Sequence, residues 1–327
     1  MSHFISVPTN ENGIFFDPLL SDTIEDAVAD NPFAFQDVFV YSHGWATDAD
    51  QSMSSYSRFS IELARQIVLM DRAVPPALPD PPRNALGIGI HWPSEITEDP
   101  SSPLNVAELF TFYTMEHRAD AVGKNAVYTI LRKTLEARAG STLPLRLFLL
   151  GHSFGCKVLC SALQDLQVDL ANGTIVPPAN VSFRVVLLEP ATDNDNLESG
   201  DIYGNVADIE KLRILMTRSD LDEALTTWFL EAGRVVNLFA PKPALGAAGP
   251  TQTTLAQFGT STAFPVNTGF APADAVAHKE RFLVADLTPV HMARKAANLA
   301  PDGGIAGSHS DIYFLEVYNL IAGFLFS

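Results

Sequence analysis

The sequence predicts an α/β fold, a mostly parallel sheet with helices on both faces. Three observations lead there. Short apolar runs recur along the chain, each the length of a strand buried on both faces. Segments with helical periodicity fall between them, the alternation of a parallel sheet with crossover helices. Hydrophobic residues make up 47% and charged residues 18% of 327 residues, enough apolar material for a large core.

The expected strands are Asp37–Ser42, Leu86–Trp92, Leu145–Leu150, Phe183–Glu189, Leu212–Arg218 and Arg281–Asp286. The expected helices include Ser54–Met70, with Ile61, Leu63, Ala64, Ile67 and Val68 on one face, and Asp120–Arg138, with Val127, Ile130, Leu131 and Leu135. Phe154–Leu170 is a third, and Leu104–Met115 a shorter apolar one. Ile312–Phe326 reads as a final amphipathic helix, too polar and too short to span a bilayer. Asp71–Asn84 holds five prolines and reads as a surface loop, as does Glu95–Pro103. Pro241–Val276, rich in Gly, Ala, Thr and Pro, reads as a long irregular segment. Val235–Ala240 fits an extra strand or a buried loop equally. The chain is expected to form one domain over 1–327, with small cap or lid elements at 95–118 and 241–276.

The net charge of −17 disfavours nucleic acid and anionic membranes as partners and keeps an apolar-rich chain soluble. The two cysteines, Cys156 and Cys160, lie four apart on an expected helix, farther than a disulfide prefers, and are expected to be free and buried. Met1–Phe16 has no basic stretch followed by an apolar core, so no secretory leader is expected, and a cytoplasmic setting fits. No H-x-x-x-H or C-x-x-C pattern points to a metal, and no glycine-rich phosphate loop or dinucleotide fingerprint occurs.

The chemistry-bearing segment is Gly151-His152-Ser153-Phe154-Gly155, between the strand Leu145–Leu150 and a helix. Strand, tight turn and helix form the context of a nucleophile elbow, where glycines two positions either side of the serine relieve crowding. A serine hydroxyl needs a base. Among the later histidines, His309 in Gly307-Ser308-His309-Ser310-Asp311 is the expected base and His291 the runner-up; His278 reads as a surface residue. The acid is expected after Leu212–Arg218, where Asp220 lies nearest the strand end and Asp222 follows; Glu189 is a minority alternative. The N–H groups of Phe154 and Trp45 are the expected oxyanion donors, Trp45 following Asp37–Ser42 in a His43-Gly44-Trp45 segment. His43, Trp92, Phe110 and Tyr113 are the expected substrate-contacting residues.

Together, the HGW segment, the GHSFG elbow, the downstream carboxylate loop and the late GSH loop resemble the α/β-hydrolase superfamily from about Phe39 to Phe326. His91-Trp92-Pro93-Ser94, Arg118-Ala119-Asp120-Ala121-Val122-Gly123 and Ala244-Leu245-Gly246 are similar to segments of a poorly characterised microbial branch. The resemblance implies ester or related acyl hydrolysis of a small molecule, with no cofactor, and leaves the substrate open. The two aspartates of the carboxylate loop depart from a single obvious acid. A long-chain lipase, an amidase or peptidase, and a non-catalytic binding relative are the competing readings. A non-catalytic relative usually lacks the Ser or the His, and both are present here.

Overall fold

Each core strand alternates its side chains between two apolar layers, which is why its sequence is a continuous apolar run. In the strand Asp37–Ser42, Val38 and Val40 enter one layer, and Phe39 and Tyr41 the other. In Leu145–His152, Leu147 and Leu149 face one layer, and Phe148 and Leu150 the other. The computed structural model describes residues 3–29, 34–45, 47–73, 85–94, 106–236, 241–259, 263–300 and 307–327.

Eight strands form one sheet: β1 (His3–Pro8), β2 (Asp37–Ser42), β3 (Ala85–His91), β4 (Leu145–His152), β5 (Val181–Leu188), β6 (Leu212–Arg218), β7 (Phe264–Pro265) and β8 (Phe282–Asp286). Their order is β1-β3-β2-β4-β5-β6-β8-β7, and every pairing is parallel. All six expected strands are present within one or two residues. β1 and β7 were not legible: β1 is a half-exposed edge strand and β7 has two residues.

The helices are α1 (Leu19–Val28), α2 (Ala49–Ala73), α3 (Val106–Val122), α4 (Tyr128–Glu136), α5 (Phe154–Ala171), α6 (Phe229–Val236), α7 (Leu245–Ala248), α8 (Gln252–Phe258), α9 (Pro272–Val276), α10 (Thr288–Ala296) and α11 (Leu315–Leu325). Side chains of α1, α3, α4 and α5 fill one apolar layer, and those of α2, α9 and α11 the other. A single π-turn, Gly123–Val127, joins α3 to α4. There the helix meets α5 so closely that a Cβ on Gly123 would lie 2.3 Å from the Val158 carbonyl oxygen. Close helix packing thus explains the glycine of the Arg118–Gly123 segment.

Four expectations change. About half of Pro241–Val276 is regular, in α7, α8, β7 and α9. α7 packs on β6, Phe258 of α8 stacks on Phe282 at the start of β8, and α9 packs on α11. Ile312–Phe326 does not form an amphipathic surface helix: every residue from Val317 to Leu325 is buried. The loop expected over Asp71–Asn84 gives its first three residues to α2; the remainder, with Glu95–Pro103, Leu104 and residues 237–240, lies outside the described residues. Val235 and Val236 end α6 rather than begin a strand. No helix among the described residues is long and apolar enough to cross a membrane.

From β2 the chain moves to β3 on one side, then crosses to β4 on the other. The carboxyl ends of β2 and β4 are therefore a topological switch point, where open parallel sheets form a ligand crevice. At the opposite end, Asp37 of β2 and Arg146 of β4 sit in register, with Arg146 Nη2 donating to Asp37 Oδ2 at 2.8 Å. Burial pushes the Asp37 carboxyl up, against the pull of Arg146. Removing one partner of a buried pair costs about 3–5 kcal/mol, whereas an exposed pair is worth at most about 1 kcal/mol. Arg146→Met should therefore lower the urea midpoint strongly. Arg132→Met, which breaks the exposed Arg132–Glu136 pair, should leave it nearly unchanged. Equal shifts would show that the Asp37 site is effectively solvated.

Candidate functional site

Ser153 ends β4 and caps α5 with φ 55° and ψ −125°, a left-handed conformation unfavourable for any L-residue. The glycines around it are required by space. A Cβ on Gly155 would lie 2.1 Å from the Ser42 carbonyl oxygen, and one on Gly151 would lie 2.7 Å from Gly155 itself. A Cβ on Gly44 would lie 2.7 Å from Ser153 Cβ. The Ser153 N–H donates to the Leu188 carbonyl at 3.0 Å, and the Ala191 N–H donates to the Ser153 carbonyl at 3.3 Å, so the end of β5 braces the turn.

His309 lies beside this turn. Its carbonyl accepts from His152 Nε2 at 2.8 Å, and the two rings are 4.9 Å apart. Its Nδ1 donates to Asp222 Oδ2 at 2.7 Å. That tautomer leaves Nε2 with a free lone pair. Asp222 is fully buried, and its other oxygen accepts from the Leu225 N–H at 2.9 Å. Asp222, not the expected Asp220, is therefore the carboxylate brought to His309. The reason is loop geometry: Asp222 pairs with Gly307 in an antiparallel bridge, and the Ser308 N–H donates to Leu221 at 3.1 Å. Asp220 turns outward, its side chain 63% exposed and 3.2 Å from Arg218 Nη2. Ser153 Oγ makes no hydrogen bond of normal length among the described residues, as is common for catalytic contacts that close only around substrate.

His291, the runner-up base, is buried and fully engaged. Its Nε2 donates to the Asp311 carbonyl at 3.0 Å, and its Nδ1 accepts from Ser219 Oγ at 2.9 Å. It braces the loop that carries His309. His278 is half-buried and stacks on Phe264, with ring centroids 4.1 Å apart.

His43 and Trp92, expected to contact substrate, are buried and bonded to each other. Their rings stack at 5.3 Å, and the Trp92 backbone N–H donates to His43 Nε2 at 3.3 Å. His43 Nδ1 then donates to the Gly44 carbonyl at 2.8 Å. A planar trans peptide points the following N–H the opposite way, so the Trp45 N–H is directed away from His43. Neither the Trp45 nor the Phe154 N–H meets an acceptor among the described residues, and Phe154 opens an 18-residue helix whose positive end faces the turn. His43 also lines a cleft with Thr47, Ser55, Tyr56, His152 and Tyr313, on the α2 side of the turn.

Aromatic side chains wall the other side. Phe112 lies 4.9 Å from Phe154, 6.2 Å from Trp45 and 5.4 Å from Phe229, measured between ring centroids. The Tyr113 hydroxyl donates to the Ala232 carbonyl at 2.8 Å, tying α3 to α6. The side chain of Phe110 lies outside the described residues. Phe112 belongs to the aromatic run of Leu104–Met115 that the sequence marks as a possible cover; Phe229 has no such signal. α6 supplies the second wall, whereas the 241–276 segment reaches the carboxyl edge of the sheet through α7 and through β7, whose Pro265 pairs with Asp286 at the end of β8.

Glu189 follows β5 at φ 45°, fully buried, with its backbone pressed by Gly246. Its Oε2 lies 3.8 Å from His309 Nδ1 and its Oε1 3.9 Å from His291 Nδ1. Burial first, then the Asp222 and Asp311 carboxylates, push its carboxyl well above the usual range. His152, Glu189 and His309 offer ligand atoms within 4.8 Å of one another. His152 Nε2 and His309 Nδ1 are already committed to protein acceptors, which argues against a resident cation.

A strained serine, an imidazole with a free nitrogen and a buried carboxylate form a set able to carry a proton off a hydroxyl. No protein-family model matches the chain, and no curated protein matches it.

Burial pushes His43 down to about 4 and His152 down to about 3, while an unfolded histidine titrates near ~6.5. Below that value the unfolded chain binds protons that the folded rings refuse. Stability is therefore complete above pH ~6.5 and lost as pH falls through 5 towards 3, at roughly 2 kcal/mol per ring by pH 5. His152→Gln should flatten the fall in urea midpoint between pH 7 and pH 5. An unchanged slope would mean His152 is charged in the folded protein.

Proposed function

We propose that this chain is a serine hydrolase of the α/β-hydrolase type, cleaving carboxylic esters through an acyl-enzyme. The observation that carries this reading is the His309 Nδ1–Asp222 bond of 2.7 Å, set beside a strained Ser153 between β4 and α5. The chain order of Ser153, Asp222 and His309 and the strand–turn–helix context of the serine support the same reading.

Ser153 Oγ attacks the ester carbonyl carbon while its proton passes to His309 Nε2. Asp222 holds the imidazole in the tautomer that accepts this proton and stabilises the imidazolium without taking the proton itself. The carbonyl oxygen becomes an oxyanion, for which the Phe154 and Trp45 N–H groups are the donors, aided by the N-terminus of α5. The tetrahedral intermediate collapses as His309 returns the proton to the leaving alkoxide, leaving an acyl-serine. Water, deprotonated by His309, repeats the sequence and frees the acid. The wall of Trp45, Phe112, Phe154 and Phe229 suits the apolar part of an acyl group.

A fluorophosphonate probe should label the protein once, and Ser153→Ala should abolish labelling with the fold intact. Label found on another residue would overturn the reading. With p-nitrophenyl acetate, Asp222→Asn should lower kcat by at least ~10²-fold, since losing the orienting carboxylate in a serine triad costs up to about 10⁴. Asp220→Asn should stay within about twofold, because that side chain faces solvent; the reverse ranking would return the acid to Asp220. Tyr113→Ala, which releases α3 from α6, should move the preferred p-nitrophenyl ester to a longer acyl chain. An unchanged chain-length profile in a cooperatively melting variant would remove α3 from the pocket.

A further inference from the structure

Glu189 is a carboxyl beside His309 that the proposed mechanism does not use. It is fully buried, and among the described residues neither oxygen has a hydrogen-bond partner. A buried polar group without a partner is destabilising, and a non-glycine residue at φ 45° adds backbone strain. A residue with two such penalties calls for a reason.

The surroundings supply one. The loop after β6 brings Ser219 and Asp222 towards Glu189, and the loop after α10 brings His309 and Asp311. α10 contributes His291, with Arg294 held on Asp311; β4 and α5 contribute His152 and Cys156, both uncharged through burial. No cation among these groups pairs with Glu189. Its backbone is fixed independently, the N–H donating to Thr217 Oγ1 at 3.0 Å. The Glu189 carboxyl therefore faces the same imidazole nitrogen as Asp222, at 3.8 Å against 2.7 Å.

We propose that Glu189 is a second positioning carboxyl for His309, set behind Asp222 and able to hold the imidazole when Asp222 is absent. This rests on the serine-hydrolase reading for its kinetic consequences, but the contact itself does not. Burial first, and then the Asp222 and Asp311 carboxylates, keep the proton on Glu189, so in the resting protein it is a neutral acid. Replacing Asp222 by an uncharged residue removes one of those opposing charges and leaves Glu189 as the carboxyl facing Nδ1, at 3.8 Å, where its carbonyl oxygen can accept from the ring.

The test compares wild type, Glu189→Gln, Asp222→Asn and the double variant, with p-nitrophenyl acetate turnover and the far-downfield proton NMR signal of the His309 Nδ1–H. Glu189→Gln alone should change kcat by less than about threefold and keep the signal. Asp222→Asn should lose about 10²-fold, not the ~10⁴ expected where no other carboxyl is near, and should retain a shifted signal. The double variant should lose at least a further tenfold, together with the signal. If the glutamine double variant does not melt cooperatively, Asp222→Asn with Glu189→Met takes its place. A double variant less than tenfold slower than Asp222→Asn, or an Asp222→Asn protein without the signal, overturns the proposal. Absence of Ser153 labelling in the wild type would overturn the hydrolase reading instead, while the NMR comparison would still decide whether Glu189 meets His309.

Discussion

The contact on which the rest of the site depends is the approach of α5 to the end of β2. Gly155 sits so near the carbonyls of Ser42 and His43 that a methyl group would lie 2.1 Å and 2.6 Å from their oxygens. That approach brings the first turn of α5 against the switch point of the sheet. It also obliges the chain to leave β4 through one strained residue, Ser153. The strain is held by bonds on both sides, from Ser153 to Leu188 and from Ala191 back to Ser153, and by Gly44 pressing on Ser153 Cβ. A serine so placed is lifted out of both strand and helix, which leaves its hydroxyl without a local partner. The α/β core supplies the rigidity that lets this strain persist.

Much of this was legible in the sequence, and for a physical reason. A strand covered on both faces is apolar over most of its length, so Asp37–Ser42 and Leu145–Leu150 stand out whatever their partners. The glycines at 151 and 155 register the crowding directly. Where the reading failed, the deciding information lay in how distant segments meet. Proximity to the strand end favours Asp220 in the sequence, but a loop orients its side chains by its own turns. Asp222 faces inward because its backbone pairs with Gly307, a contact spanning 85 residues that no local pattern contains. Gly307 itself was in view as part of the GSH segment. Its φ of +61°, and the 2.6 Å that a Cβ would leave to the Leu221 oxygen, show what the glycine is for.

The same distinction separates the aromatic residues. His43 and Trp92 have the composition of a binding site, yet they stack on each other and fix the Gly44 carbonyl. Through these bonds they set backbone direction at the turn, and His43 also lines the cleft on the α2 side. Phe112 and Phe229, from α3 and α6, form the wall beside Phe154, a meeting of helices that periodicity alone does not pair. Pro241–Val276 has the composition of loop because its helices are short and carry Gly, Pro and Thr at their ends. Thr251, for instance, caps α8 through its side chain, accepting from the Thr254 N–H.

His309 is held at three points that belong to different parts of the fold. His152, on the strand before the serine, donates to its carbonyl; Asp222 accepts from its ring; and His291 anchors the loop two residues on by donating to Asp311. His152 and His291 donate through uncharged rings, since burial lowers the proton affinity of each. The carboxyl charge beside His309 therefore has no buried imidazolium but His309 itself to neutralise it. Asp222 thus meets His309 alone among these rings, and the imidazolium that forms when Ser153 gives up its proton in the proposed reaction already has its counter-charge 2.7 Å away.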